Sequence, residues 1–308
     1  MAGTRYYKHY KLYFGEDRAL DEKRISWSNG DELATHTLTI RCRGKDMNDL
    51  RPLLDEIVAA YEAEELKGDK THVYQMISEH SHGGGWSHLH TTHPRSPASV
   101  ILSTGLMERV LADLDKFMAH ETRKRYKALD LPYRRGWLFT GPPGNGKSSL
   151  VAVVAARLCV PIHIVSLREA KLQDADLARE MNRPRGTTHR PAVFLLEDID
   201  RTTATTNTGL TLSGLFNVLD GHAAPENALI IMTTNHPEKL DPALIRPGRV
   251  DATFEFTPPT RDMVERYFAR IARDPTDEVT KGRFIDRCAE ATCMAHVQEM
   301  AREAGLLI

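Results

Sequence analysis

From Val100 onward, short apolar runs alternate with stretches of helical spacing. The order strand, helix, strand predicts a largely parallel sheet with helices on both faces. The runs that read as strands are Gly136–Thr140, Pro161–Leu167, Ala192–Glu197, Ala228–Thr234 and Ala252–Phe256, and helical candidates begin at Lys147, Asp174, Gly209 and Asp241. After Pro258-Pro259 only helical patterns remain, such as Met263–Ile271 and His296–Ala304. The earlier part of the chain is patterned differently. Ala34 to Arg43 (ATHTLTIRCR) alternates like a half-buried strand, Leu50, Leu53, Leu54, Ile57, Val58 and Tyr61 form a helical stripe, and residues 72–78 read as another strand. The N-terminal run MAGTRYYKHYKLYF, alternating aromatic and basic residues, also reads as a strand. The expected organisation is a small α+β domain over 1–97, an α/β domain with a parallel five-stranded sheet over 98–258, and a small helical lid over 259–308.

Composition narrows the class. With 308 residues, 41% hydrophobic and 27% charged, the chain is long enough for about two cored domains and is unlike disordered, collagenous or disulfide-scaffold sequences. Lys plus Arg (41) nearly cancel Asp plus Glu (42), so net charge gives no reason to expect nucleic acid or an anionic membrane as the main partner. The most apolar stretch, Leu150 to Leu167, is interrupted by Arg157 and His163, and no run is long enough to span a bilayer. The N-terminus lacks the apolar core of a secretory signal. Cys42, Cys159, Cys288 and Cys293 form no CxxC pair, which points to reduced thiols and a cytoplasmic address.

The strongest chemical signal is the loop Gly141-Pro142-Pro143-Gly144-Asn145-Gly146-Lys147-Ser148, followed by Ser149, between an apolar strand and a helical run. Backbone N–H groups of such a loop, with the helix N-terminus behind it, cradle phosphates; the lysine adds a point charge and the serine hydroxyl a ligand for Mg²⁺. A second apolar strand ends in acids, VFLLEDID, with Glu197, Asp198 and Asp200 placed where a metal-bound water and an attacking water need carboxylates. Glu197 is assigned to the metal shell and Asp198 to polarising water. A third strand, IIMTTN, ends in Asn235; an amide there can orient a water without adding charge, although an asparagine ending a strand is more often a turn former. Downstream, LDPALIRPGRVD presents Arg246 and Arg249 on a Pro-Gly turn, suited to stabilising charge on a transferring phosphoryl group, in their own subunit or another.

Together GPPGNGKSS, LLEDID, TTN and LDPALIRPGRVD resemble the AAA family of ATPases, the last two segments being similar to its second region of homology. More narrowly, PYRRGWL from Pro132, the Glu-Asp order of LLEDID, and TLSGLFNVLDG from Thr211 resemble the BCS-type branch, typified by a mitochondrial chaperone that completes respiratory complex III. The resemblance covers roughly residues 34–272 and implies a three-layer P-loop domain, a helical lid and a homo-oligomeric ring with ATP and Mg²⁺ between neighbours. It makes Lys147 and Ser148 the phosphate and Mg²⁺ residues, Glu197 and Asp198 the paired acids, Asn235 the first sensor, and Arg246 and Arg249 the arginine fingers. Three departures accompany it. The transmembrane helix of the mitochondrial branch is missing from this sequence, Arg168 to Asp176 has no aromatic-apolar-Gly trio of the threading unfoldases, and Ala291 to His296 contains no second-sensor arginine.

Other features carry less. His80, His82, His88, His90 and His93 crowd a Gly-rich stretch around Trp86 and read as a solvated connector, with Zn²⁺ or Ni²⁺ binding and a pH-responsive or cargo-contacting loop as alternatives. Tyr6, Tyr7, Tyr10, Tyr13 and Phe14 beside Arg5, Lys8 and Lys11 read as an ordinary strand or a docking edge, with single-stranded nucleic acid as the alternative. The expected activity is ATP hydrolysis coupled to moving or remodelling a protein partner. A nucleotide-gated scaffold and a nucleic-acid remodeller stand as the competing readings.

Overall fold

The computed structural model describes residues 3–7, 10–14, 26–27, 36–37, 70–77, 85–167, 172–184, 190–201, 210–221 and 223–306. The chain divides into two compact units, Met1–Lys67 and Gly68–Ile308. In the first, β1 (Gly3–Tyr7) pairs antiparallel with β2 (Tyr10–Phe14), and β3 (Ser26–Trp27) with β4 (His36–Thr37). The aromatic-basic N-terminus is therefore a hairpin of two strands. The helical stripe from Leu50 to Tyr61, and the strand expected over Ala34–Arg43 apart from β4, lie outside the described residues.

The second unit is built on β5 (Thr71–Ile77), β6 (Gly85–Thr92), β7 (Arg134–Thr140), β8 (Ile162–Ser166), β9 (Ala192–Glu197), β10 (Ala228–Thr234) and β11 (Ala252–Glu255). They form one sheet in the order β11-β7-β10-β9-β8-β5-β6, parallel throughout except for the antiparallel β5–β6 pair. The five expected strands form the parallel run β11-β7-β10-β9-β8, which β5 and β6 extend to a mixed seven-stranded sheet. Residues 72–78, expected in a separate α+β region, supply β5, which pairs in parallel with β8 from Val73↔Ile162. The stretch expected to be a connector supplies β6. Its glycines and histidines mask an edge strand, where one side needs no partner and polar residues are tolerated. Trp86 anchors it, packing on His163 and Phe194 and donating its indole N–H to the Glu180 carbonyl at 2.9 Å.

The central strands look uniformly apolar because both faces are covered, but they still alternate. Trp137, Phe139, Val193, Leu195, Leu229 and Ile231 face one core with α1 (Leu106–Met118) and α3 (Lys147–Leu158). Leu138, Phe194, Leu196, Ile230 and Met232 face the other with α4 (Asp174–Met181) and α5 (Leu212–Leu219). Helix α1 and the following α2 (His120–Ala128) were not among the elements expected from the pattern. The buried indole of Trp137 needs an acceptor, and Asp113 of α1 provides it at 2.7 Å while also taking the Arg135 guanidinium at 3.0 and 2.6 Å. That junction fixes α1 on the strand leading into the phosphate loop.

No helix starts at Asp241. Residues 241–250 run through turns: Asp241 Oδ1 accepts from Ala243 N at 2.7 Å, Pro242 and Pro247 withhold N–H groups, and Gly248 has φ +94°. The lid comprises α6 (Arg261–Ile271), α7 (Glu278–Arg287) and α8 (Met294–Glu303) around a core of Met263, Tyr267, Phe268, Phe284, Met294 and Val297.

His163 on β8 is buried between Tyr74, Trp86 and Phe194, and its Nδ1–H donates to the Val193 carbonyl at 3.2 Å. Burial pushes the pKa of its imidazole down to about 4 from the usual 6.5. The folded value lies below the unfolded one, so the fold favours the neutral ring. This stabilisation is present above about pH 6.5 and is lost as pH falls toward 4. Denaturant titrations should show a loss on the order of 2 kcal/mol between pH 7 and 4.5 from this group. His163→Phe should remove that part of the pH dependence; an unchanged pH slope in the variant would refute the assignment.

Candidate nucleotide site

Strand β7 runs into the loop at Gly141, and α3 leaves it at Lys147. Gly141 has φ +132°, and a Cβ there would sit 2.0 Å from the Phe256 carbonyl oxygen, so only glycine permits this exit from the sheet. Gly146 caps α3 at φ +91° without a side-chain hydrogen bond, leaving the helix's first N–H groups for a ligand.

The loop borders a cleft of about 510 Å³, within the usual size range for small-molecule sites. Pro143, Gly144, Gly146, Lys147, Ser148, Ser149, Glu197, Asp198, Thr233 and Asn235 line it. Gly141 and Pro142 contribute their carbonyls, which accept from Lys147 Nζ at 2.6 and 2.9 Å. The third donor hydrogen of Lys147 goes to Asn235 Oδ1 at 2.7 Å, and Asn235 Nδ2 faces Asp198 Oδ1 at 3.5 Å. The ammonium, the amide and the carboxylate therefore form one chain across the ends of three adjacent strands. Burial lowers the Lys147 pKa, and Asp198 and Asp200 oppose that shift. Asp200 does not line the cleft; it is buried and accepts from Thr234 Oγ1 at 2.7 Å. Asp198 has φ +50°, a left-handed backbone that Asp and Asn tolerate better than most residues, and its N–H points to Thr233 Oγ1 at 3.4 Å.

Asn145 does not line the cleft; it is buried beneath the loop and bonds to the lid. Arg246 and Arg249 also stand outside the cleft. They differ from each other. Arg246 is exposed, whereas Arg249 is held by its own subunit, with Nε on Asp220 Oδ2 at 2.7 Å, Nη1 on the Ala243 carbonyl at 2.7 Å and the guanidinium 3.9 Å from the Phe216 ring centre. Their turn is pinned to β7 by Asp251, whose N–H donates to the Gly136 carbonyl at 2.8 Å and whose carboxylate accepts from Gly136 N at 2.8 Å.

The other end of the cleft was not identified from the sequence. It is lined by Arg95, Ser99, Val100 and Ile101 ahead of α1, and by Tyr267, Met294, Ala295 and Gln298 of the lid. Apolar walls with one amide suit a flat heteroaromatic ring. No basic residue of α8 lines the cleft among the described residues; Arg95 and Lys147 are the basic residues that do. In the His-rich stretch, His88 Nε2 and His72 Nδ1 share the Thr91 hydroxyl at 2.8 and 3.0 Å, while His80 and His82 lie outside the described residues.

A parallel sheet with a glycine-rich phosphate loop after one strand, acids after a second and an amide after a third defines a P-loop nucleotide hydrolase. The family model described as "ATPase family associated with various cellular activities (AAA)" matches residues 137–258. Among curated proteins, the chain is 33% identical to the mitochondrial chaperone BCS1 of Bos taurus over 92% of its length and 68% of the relative's. It is 32% identical to the probable mitochondrial chaperone BCS1-B of Dictyostelium discoideum, over 91% of this chain and 66% of that one. For the BCS1 of Homo sapiens the identity is 35%, over 79% and 58%. The chain belongs to the BCS1 family of AAA ATPases, and ATP hydrolysis is the chemistry that the matched domain implies. It spans 58 to 68% of these relatives' lengths. Among the described residues, no helix is long and apolar enough to cross a membrane.

Proposed function

We propose that the chain is one subunit of a homo-oligomeric ring that hydrolyses ATP in clefts completed by a neighbour and uses the cycle to move or remodel a protein partner. The observation that carries this reading is the Lys147–Asn235–Asp198 chain at the loop, together with an exposed Arg246 outside the same subunit's cleft. Lys147 exchanges its loop carbonyls for the β- and γ-phosphate oxygens of ATP, which carry full charge and are stronger acceptors. Asn235, already bridging cation and carboxylate, positions the water, and Asp198 accepts its proton as the water oxygen attacks the γ-phosphorus and ADP leaves. The hydroxyl of Ser148 and the carboxylate of Glu197 are hard oxygen donors suited to Mg²⁺, which would neutralise charge on the phosphate oxygens. Val100, Ile101 and Tyr267 would enclose the adenine.

Lys147→Ala should weaken Mg-ATP binding about 100-fold, measured with a fluorescent ATP analogue. Affinity within threefold of wild type would sink the ATP-site reading. For the cellular role, capture in ATP with an Asp198→Asn trap should retain a protein that also stimulates wild-type turnover. Unstimulated turnover with ATP-dependent assembly would favour a nucleotide-gated scaffold instead. Salt-sensitive stimulation by DNA or RNA would favour nucleic-acid remodelling. The cytoplasmic address is proposed from cysteine usage, beside relatives named as mitochondrial, and cell fractionation decides it.

A further inference from the structure

Helix α8 begins at Met294, and the residue before it, Cys293, provides no side-chain cap. The first N–H groups of a helix need acceptors from elsewhere. Here they come from the phosphate loop. Met294 N donates to Asn145 Oδ1 at 3.0 Å in a buried position, and Ala295 N donates to the Gly144 carbonyl at 3.1 Å. The Asn145 side chain is 1% exposed, and its Nδ2 faces the Pro142 carbonyl at 3.5 Å, so the carboxamide ties its own loop to the lid. Packing agrees with the hydrogen bonds: a Cβ on Gly144 would lie 2.9 Å from Cys293 Sγ and 3.2 Å from the Ala295 Cβ. A nucleotide loop and a lid helix are therefore in direct contact, the buried bond joining residues 149 positions apart.

We propose that Asn145 is a positioning residue that caps lid helix α8 of its own chain from outside the helix, so that the geometry of the phosphate loop and the placement of the lid form one equilibrium. The proposal rests on reading the cleft as the ATP site. A loop that wraps phosphates fixes the direction of the Gly144 carbonyl and of the Asn145 carboxamide, and those two acceptors hold the start of α8. Met294, Ala295 and Gln298 of the same helix line the cleft, so a well-held α8 also closes it. The lid brings no basic side chain from α8 to the cleft among the described residues, and the cap supplies a route by which it still registers loop occupancy. Linkage requires the reverse as well: a lid held in place favours the phosphate-binding loop.

Three variants of the full chain separate the cap from ordinary packing. Asn145→Ala removes the acceptor. Met294→Pro removes the donor together with the side chain, and the helix start is kept because proline is accepted at the first helical position and Cys293, with φ −155° and ψ 164°, has the extended backbone that precedes proline. Met294→Ala keeps the N–H and controls for the side chain buried in the lid core. Binding of a fluorescent ATP analogue with Mg²⁺ is measured beside amide hydrogen exchange across residues 278–303. In the wild type, nucleotide should slow exchange in α8. Asn145→Ala and Met294→Pro should each bind about tenfold more weakly, the equivalent of ~1.4 kcal/mol, and lose that nucleotide-dependent slowing. Met294→Ala should keep the nucleotide-dependent slowing at saturating analogue, whatever its lost cleft contact costs in affinity, and the double variant Asn145→Ala/Met294→Pro should be no weaker than either single one. Wild-type slowing in Asn145→Ala, or equal loss in Met294→Ala, would overturn the latch while leaving ATP binding intact. Failure of the wild type itself to bind the analogue would instead overturn the ATP-site reading beneath it.

Discussion

Arg246→Ala should lower the kcat of ATP hydrolysis by roughly 10³-fold, with little change in nucleotide affinity, because an arginine supplied from a neighbour acts on charge that develops in the transition state. The side chain is exposed and stands outside its own cleft, so in the proposed ring it is available to a neighbouring subunit's site. Mixing makes this testable. Arg246→Ala subunits bind ATP but receive no arginine, Lys147→Ala subunits offer one but stay largely empty at ATP concentrations that fill the others, and a mixed ring should regain a measurable part of the lost rate. No recovery on mixing, or full activity of the single variant, would exclude the shared site. Arg249→Ala should behave differently. Its guanidinium is already committed to Asp220, the Ala243 carbonyl and the Phe216 face, so its loss should loosen the turn that presents Arg246 and cost about 1–2 kcal/mol of stability. Asp220→Ala should reproduce that phenotype. If Arg249 instead acted as a finger in its own right, Asp220→Ala would leave the rate nearly untouched.

Asp198→Asn should retain ATP and slow its hydrolysis by roughly 10²- to 10⁴-fold, the usual contribution of a general base. The substitution is mild structurally: asparagine tolerates the left-handed φ of +50° at this position, and its amide can still face Asn235 at the observed 3.5 Å. Glu197→Gln provides the contrast, and should weaken Mg²⁺-dependent binding more than it slows turnover once bound. Single-turnover assays across a Mg²⁺ series distinguish the two. The Glu-Asp order makes this comparison necessary, since most AAA proteins carry Asp before Glu. A larger rate loss in Glu197→Gln, with Asp198→Asn active, would reverse the assignment of base and metal ligand.

Sequence legibility followed the range over which each feature is determined. The loop Gly141–Ser148 could be read directly because its backbone requirements are local: glycines where φ is positive, then a lysine and a serine at the helix start. Glu197, Asp198 and Asn235 were legible because each ends an apolar strand, and parallel strands bring such ends together. Arg95, Val100, Tyr267, Met294 and Gln298 had no such signal. Each is ordinary in its own segment, and only tertiary packing gathers them around one cleft. The same limit hid the role of Asn145, whose partner lies 149 positions away. Two local misreadings have other causes. Trp86, not the run of glycines before it, determines that β6 joins the sheet. From Leu240, the four-residue spacing of Leu240 and Leu244 imitates a helix that Pro247 interrupts.

Strands β9, β10 and β7 run side by side in unbroken register, Met232 opposite both Leu138 and Leu196, and Thr234 opposite Thr140. The ladder therefore works as a ruler. The spacing between the phosphate loop, the acid pair and Asn235 is counted out in whole residues of about 3.3 Å, and each step also turns a side chain to the opposite face. Loops at the far ends of these strands are free to lengthen or change without altering that count. A single residue gained or lost inside β10 could not be absorbed in the same way: it would carry Asn235 out of reach of Lys147 even in a molecule that still folds.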